Sequence, residues 1–163
     1  MATVAILVNG IHGSGKSDLA EKLAAVLGCP VLAKDAVLED LADIAGTTAD
    51  RAALDALAMS TIWALGKAVP DGIVIDAEIA DREIALRGAA VTGALRLVEV
   101  WCDLPADEAR VRAEGRPRHP IHASAPASPA DAAPLGLWPV VHVNTRVAVD
   151  FGQLLPELAE LLP

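Results

Sequence analysis

The chain has 163 residues, of which 22 are Asp or Glu and 13 are Lys or Arg, giving a formal net charge of −9. That balance argues against broad nucleic-acid affinity, which depends on neutralising phosphates with Lys and Arg, although it leaves room for a local basic site. Hydrophobic content is 53% with one Phe, three Trp and no Tyr, so the core must come from Val, Leu, Ile and Ala, in a length suited to one domain over 1–163.

Residues 3–8 form a β-branched apolar run short enough for a buried parallel strand. The run has no basic region before it and stops at Asn9, so a secretory leader is not expected. No apolar stretch has the length of a membrane span, and a cytoplasmic protein is expected. Gly10-Ile11-His12-Gly13-Ser14-Gly15-Lys16-Ser17 then satisfies Gly-x-x-x-x-Gly-Lys-Ser, the Walker A or phosphate-binding-loop pattern. A glycine turn capping a helix would also use such residues, but residues 16–27 continue with Leu19, Ala20, Leu23, Val26 and Leu27 on one helical face. Strand, glycine loop and helix follow in the order the motif requires. Its N–H groups can converge on phosphate oxygens, supported by the helix dipole. Lys16 suits the β- and γ-phosphates of a nucleoside triphosphate, and the Ser17 hydroxyl suits Mg²⁺.

Residues 30–33 read as a very short second strand ending at Lys34-Asp35. Asp35 can cap a helix over residues 36–45 or serve as a catalytic group at the strand's carboxyl end, and the two are compatible. Thr47-Thr48 opens a helix to Lys67, Pro70-Asp71-Gly72 turns, and residues 73–76 form a third strand ending in Asp76, placed to assist Mg²⁺. A helix over 79–92 carries Arg82 and Arg87 as surface charge, with Gly93 as its stop. Residues 97–101 make a fourth strand, and Pro105 starts another helix.

Four of the nine arginines, Arg110, Arg112, Arg116 and Arg118, follow within a short segment. Their planar forks suit phosphate, and a segment carrying them can close over nucleotide; a solvated helix face is the alternative. His119 and His122 lack a third ligand for a metal and read as loop residues near substrate or on the surface. Residues 123–139, rich in Ala, Pro and Ser, form a mobile flap or an ordered irregular loop. Residues 140–144 make a fifth strand with Asn144, Thr145 and Arg146 at its end, and residues 151–162 a final amphipathic helix. Cys29 and Cys102 have no metal or redox spacing and read as reduced thiols.

The pattern defines an α/β fold, a parallel sheet of five strands covered on both faces, with Gly13, Asp35, Asp76 and Asn144 at one edge. On the loop at 10–17, the strand-end Asp35 and Asp76, the Asp103-Leu104-Pro105 turn with its arginine helix and the strand ending in Asn144, the chain resembles the small P-loop kinases. Within these the resemblance is to the group including chloramphenicol phosphotransferase, zeta toxin and the polynucleotide 5′-kinases. It implies a three-layer P-loop NTPase fold of nucleoside-kinase-like type, the loop strand central, with a short arginine-bearing lid and flap at about 105–139. It also implies transfer of the ATP γ-phosphoryl group to a hydroxyl. Asp35 matches the general base, Arg112 and Arg116 the lid arginines, and Asn144, Thr145 and Arg146 the region near adenine. Polynucleotide kinases of this group carry Arg three residues after the base, where this chain has Leu38, and zeta-type toxins have longer insertions. The expectation is therefore a kinase of a small hydroxylated metabolite or antibiotic, using ATP and Mg²⁺, with a pocket lined by Leu38, Leu41, Ile79 and the flap. A nucleotide-binding switch or slow NTPase and a polynucleotide kinase are the alternatives.

Overall fold

The computed structural model describes residues 2–46 and 48–162. The strands are β1 (Ala2–Asn9), β2 (Val31–Ala33), β3 (Asp71–Asp76), β4 (Arg96–Asp103) and β5 (Val140–Asn144). They form one parallel sheet in the order β2-β3-β1-β4-β5, with the loop-bearing strand at its centre. Ile6 lies opposite Val74 on one side and Val98 on the other. The helices are α1 (Lys16–Leu27), α2 (Lys34–Ala45), α3 (Arg51–Ala68), α4 (Arg82–Thr92), α5 (Ala106–Glu114) and α6 (Phe151–Leu161), with a 3-10 turn at Pro120–Ser124.

The alternation of side chains along β1 divides the core. Ile6 and Val8 pack with Val98 and Val100 against Leu19 and Leu23 of α1 and Leu154 and Leu158 of α6. Ala5 and Leu7 pack with Ile73 and Ile75 against Ile62 and Trp63 of α3 and Ala85 of α4. Burial on both faces is why these strands read as continuous apolar runs, and it gives the three layers expected from the sequence. On the second side α4 approaches α3 closely: a Cβ on Gly88 would lie 2.3 Å from the Trp63 ring.

Several boundaries and faces differ from the sequence reading. Asp35 is no cap, because α2 begins one residue before it with Ala33 at the cap position. Asp50, whose carboxylate accepts from Ala52 N–H, starts α3, so the helix opens after Thr48, while Thr47 lies outside the described residues. Asp81 caps α4 by accepting from Glu83 and Ile84 N–H, which puts Ile79 before the helix and in the core. Val26, Leu27, Leu57 and Leu65 are exposed: the helical faces that meet the sheet are narrower than the hydrophobic pattern. Arg82 is not simply surface charge, because its guanidinium donates to Leu135 O. Arg87 is, pairing with Glu83 along the helix.

Residues 123–139 take the ordered, irregular form, fastened by a residue in the middle of β4. Glu99 is fully buried, and its two oxygens accept from three donors: Asn9 Nδ2 and Leu135 N–H at 2.9 Å each, and Gly136 N–H at 3.1 Å. A group facing only donors must be an acceptor on both oxygens, which a carboxylate is. Cys29 and Cys102 are free thiols. Among the described residues no helix is long and apolar enough to cross a membrane.

Candidate active site

The glycine loop is held from below by Asn9, fully buried at the end of β1. Its Oδ1 accepts from Gly10 and Ile79 N–H, and its amide nitrogen donates to Ile79 O and Glu99. Every polar atom of this side chain is used to join the loop to the residues after β3. Gly13 sits under α5 at φ 83°, where a Cβ would lie 2.0 Å from Ala109 O, so no other residue fits there. Ser14 is buried, its carbonyl accepting from Thr145 Oγ1 at 2.6 Å. Gly15 occupies the cap position of α1. Lys16, the first residue of that helix, is 8% exposed, its ammonium 3.5 Å from Ile11 O.

The strand ends deliver the acidic residues. Asp76 is buried beside Ser17, and its Oδ1 has no hydrogen-bond partner. Burial raises its pKa against the opposing pull of the Ser17 hydroxyl and Lys16. A buried orphan carboxylate oxygen next to a hydroxyl is a donor set that fits a hard oxygen-seeking cation such as Mg²⁺.

Asp35 is about half exposed and 3.4 Å from Lys34. Lys34, only 11% exposed, also bonds Asp55 at 2.7 Å, and Asp55 lies 3.7 Å from Arg51. Arg51 in turn donates from Nε to Ile121 O at 3.1 Å. Burial pushes the Asp35 carboxyl up, but Lys34, Lys16 and His122 together outweigh it and hold the group below its ordinary value.

The arginine segment separates into different fates. Arg110 is exposed and paired with Glu114 at 3.4 Å. Arg112 is tied to Thr145 O at 2.9 Å and lies beside Gly15. Arg116 and Arg118 line the cleft with no carboxylate partner among the described residues. At the end of β5, Asn144 Oδ1 accepts from Arg146 N–H, and Arg146 pairs with Glu108 at 2.7 Å. His119 lies 3.0 Å from Asp43 and His122 2.7 Å from Glu39, so both histidines fasten the 3-10 turn to α2. Among the described residues no group of three or more His, Cys, Asp or Glu is placed to hold a metal. His12 is half-buried, its N–H donating to Ser128 Oγ at 2.9 Å, and its Nε2 has no partner. Burial first, then Arg118 and Lys16, lower its pKa, which favours the neutral imidazole.

Two cavities meet at these residues. A cleft of about 340 Å³ runs along Gly13, Gly15, Lys16, Ser17, Arg112 and Arg116. A chamber of about 1210 Å³ lies beyond it, against Lys34, Asp55, Glu78, Trp101, Cys102 and residues 125–130. His12, Lys16, Asp35, Arg116, Arg118 and His122 line both. The flap lines the chamber as expected, but Leu38 and Ile79 are buried in the interior, and Lys34, Arg51, Asp55 and Glu78 stand in the wall beside the apolar Trp101 and Leu104. Cys102 is inert there, because burial pushes its thiol up to about 12. Sequence reasoning missed Asn9, Lys34, Asp55, Glu78 and Glu99. Only Glu99 carried a signal, as a lone acid within an apolar strand.

A parallel sheet with a central strand leading into a glycine loop, and a lysine and two strand-end carboxylates at its carboxyl edge, defines the P-loop class of nucleotide-binding α/β folds. Within that class the chain belongs to the AAA domain family AAA_33, whose profile matches residues 6–132. No curated protein matches the chain. Solved structures share the fold. A provisionally named kinase from Chloroflexus aurantiacus is 24% identical, with a TM-score of 0.76 and full coverage of both chains. The Mycobacterium tuberculosis APS kinase, solved in complex with AMPPNP and APS, is 20% identical with a TM-score of 0.61, covering 97% of this chain and 96% of its own. A gluconokinase from Sinorhizobium meliloti is 19% identical with a TM-score of 0.55, covering 98% of this chain and 87% of its own.

Proposed function

We propose that the chain, read as one kinase domain over 1–163, is an ATP-dependent phosphotransferase that moves the γ-phosphoryl group to a hydroxyl of a small molecule, a metabolite or an antibiotic. The observation that carries this reading is the pair of cavities opening onto one lysine and one carboxylate, Lys16 and Asp35. The smaller cleft suits the triphosphate, with loop N–H groups, Lys16, Arg112 and Arg116 around it and Asn144, Thr145 and Arg146 towards the base. The larger chamber suits the acceptor. Small-molecule kinases among the proteins of like fold support the reading, as does the APS kinase complex with AMPPNP and APS.

The chemistry follows from charge placement. Phosphoryl transfer needs positioning and positive charge around the equatorial oxygens more than it needs covalent help. Lys16, Arg112 and Arg116 supply that charge from a half-enclosed site. Asp35, kept ionised by Lys34, accepts the proton of the acceptor hydroxyl. Ser17 and Asp76 would hold Mg²⁺, which neutralises phosphate charge when bound. Asp55, Glu78 and Lys34 offer the acceptor hydrogen-bonding partners, so a polar, hydroxyl-rich compound fits better than an apolar one. Membership of the chloramphenicol phosphotransferase, zeta toxin and polynucleotide kinase-like group is part of the proposal, with Leu38 and the acidic charge counting against a polynucleotide acceptor.

The test is transfer of label from γ-labelled ATP with Mg²⁺ into a pooled panel of hydroxylated metabolites and antibiotics. A labelled product that vanishes in Lys16→Met is expected. Nucleotide bound tightly by the wild type, with no transfer to any class of hydroxyl, would turn the reading towards a nucleotide switch.

A further inference from the structure

The chamber beside Lys16 is lined by charged, imidazole and apolar side chains, but among the described residues by a single hydroxyl side chain, that of Ser128. The Oγ of this residue accepts from the backbone N–H of His12 at 2.9 Å, which puts a hydroxyl of the chain against the phosphate loop itself. Asp35, Lys16 and Arg118 line the same chamber. We propose that Ser128 is an intramolecular phosphoryl acceptor, so that the protein phosphorylates its own irregular segment from bound ATP. The inference rests on the kinase reading of the site and extends it to a modification of the chain.

Three observations carry it. The first is position, on the acceptor side of Lys16 and in contact with the loop. The second is restraint. Upstream, His122 is fastened to Glu39 at 2.7 Å and Ile121 O accepts from Arg51; downstream, Leu135 and Gly136 N–H are bound to Glu99. The residues between these anchors are short enough to be held near the loop, and a reactant already in place reacts as though its concentration were very high. The third is surroundings. Ser128 is half-buried, and the carboxylate of Asp35 lines the same chamber.

The step balances. Ser128 Oγ bonds to the γ-phosphorus, the bond from that phosphorus to the β–γ bridging oxygen breaks, ADP leaves, and the serine proton passes to Asp35 and then to water. The new phosphoserine has Lys16, Arg116 and Arg118 within the same pair of cavities to pair its charge.

The experiment incubates the full chain with Mg·ATP and no added acceptor, reads intact mass, and maps the modified peptide. The expected result is one phosphoryl group per chain on Ser128, at a first-order rate independent of protein concentration. It is lost in Ser128→Ala and in Lys16→Met, and kept in Ser128→Thr, which preserves a hydroxyl. Denaturation midpoints of the variants establish that they are folded. An unmodified Ser128 in a preparation that still transfers phosphate to a small-molecule acceptor overturns the inference and leaves the kinase reading standing. Labelling elsewhere, or a rate that rises with protein concentration, also overturns it. A chain that neither binds nucleotide nor forms ADP removes the kinase reading and this inference together.

Discussion

Asp35 shows how one neighbour sets the chemistry of a residue. Asp35→Asn removes the proposed proton acceptor without changing shape, and turnover should fall at least about a hundred-fold, the lower end of general-base contributions, with nucleotide binding kept. Steady-state kinetics beside a nucleotide titration checks this; equal turnover would remove Asp35 from the mechanism. Lys34 adds a pH dependence of defined sign. Burial acts to raise the Asp35 pKa, and Lys34 leads the charges that reverse it. The carboxylate therefore stays ionised to lower pH than an ordinary Asp, and its stabilising pairing is present above the unfolded pKa and lost as pH falls through the depressed folded value. Lys34→Met should move the acidic limb of the pH–rate profile upward, while Lys34→Arg should restore most of its position. Asp35 was readable from its place after a short strand, whereas Lys34 was not, because its partner Asp55 sits on the next helix and no local spacing links them.

Among the elements, α4 and the irregular segment after α5 depend on single contacts that can be broken cleanly. Gly88→Ala would gain roughly 1 kcal/mol of helix propensity, but it drives a methyl group into the Trp63 ring. Overpacking of that kind costs about 1–3 kcal/mol, so a net loss is expected, read as a lower denaturant midpoint with an unchanged slope. Glu99→Gln turns one acceptor oxygen into a donor facing N–H groups and should cost about 1–3 kcal/mol. The Leu135 and Gly136 amides should then exchange hydrogen faster, while those of β1 keep their protection. The strands and α1 were legible because burial on both faces leaves an unbroken apolar run, and because the glycine loop marks where β1 stops. The start of α4 was not: Ile79 has the look of a helical core residue, and only Asp81, two positions on, carries the cap. The outward-facing Val26, Leu27, Leu57 and Leu65 misled for a related reason, since hydropathy cannot say how wide a face the sheet will cover.

Across the whole molecule, the proposed ligand should act as a stabiliser. Mg·ATP at a hundred times its dissociation constant should add about 2.7 kcal/mol to the folded state, visible as a raised unfolding temperature in the wild type and absent in Lys16→Met. The chamber proposed for the acceptor was the least legible part of the protein. It gathers Lys34, Arg51, Asp55, Glu78 and Ser128 from four separate stretches, and a linear pattern had pointed instead to Leu38 and Ile79. The position of β1 has a consequence for how the chain reaches this state. The strand that carries the loop leaves the ribosome well before either of its neighbours, since Ile6 waits for Val74 and then Val98. Until then an apolar ribbon has two open edges, the form in which nascent chains associate wrongly. Pairing over such separations also slows folding. A circular permutant that starts after α4 and joins the old ends puts β4 ahead of β1, so that the loop strand emerges with one neighbour already made, and its refolding rate against the parent measures what the native order costs.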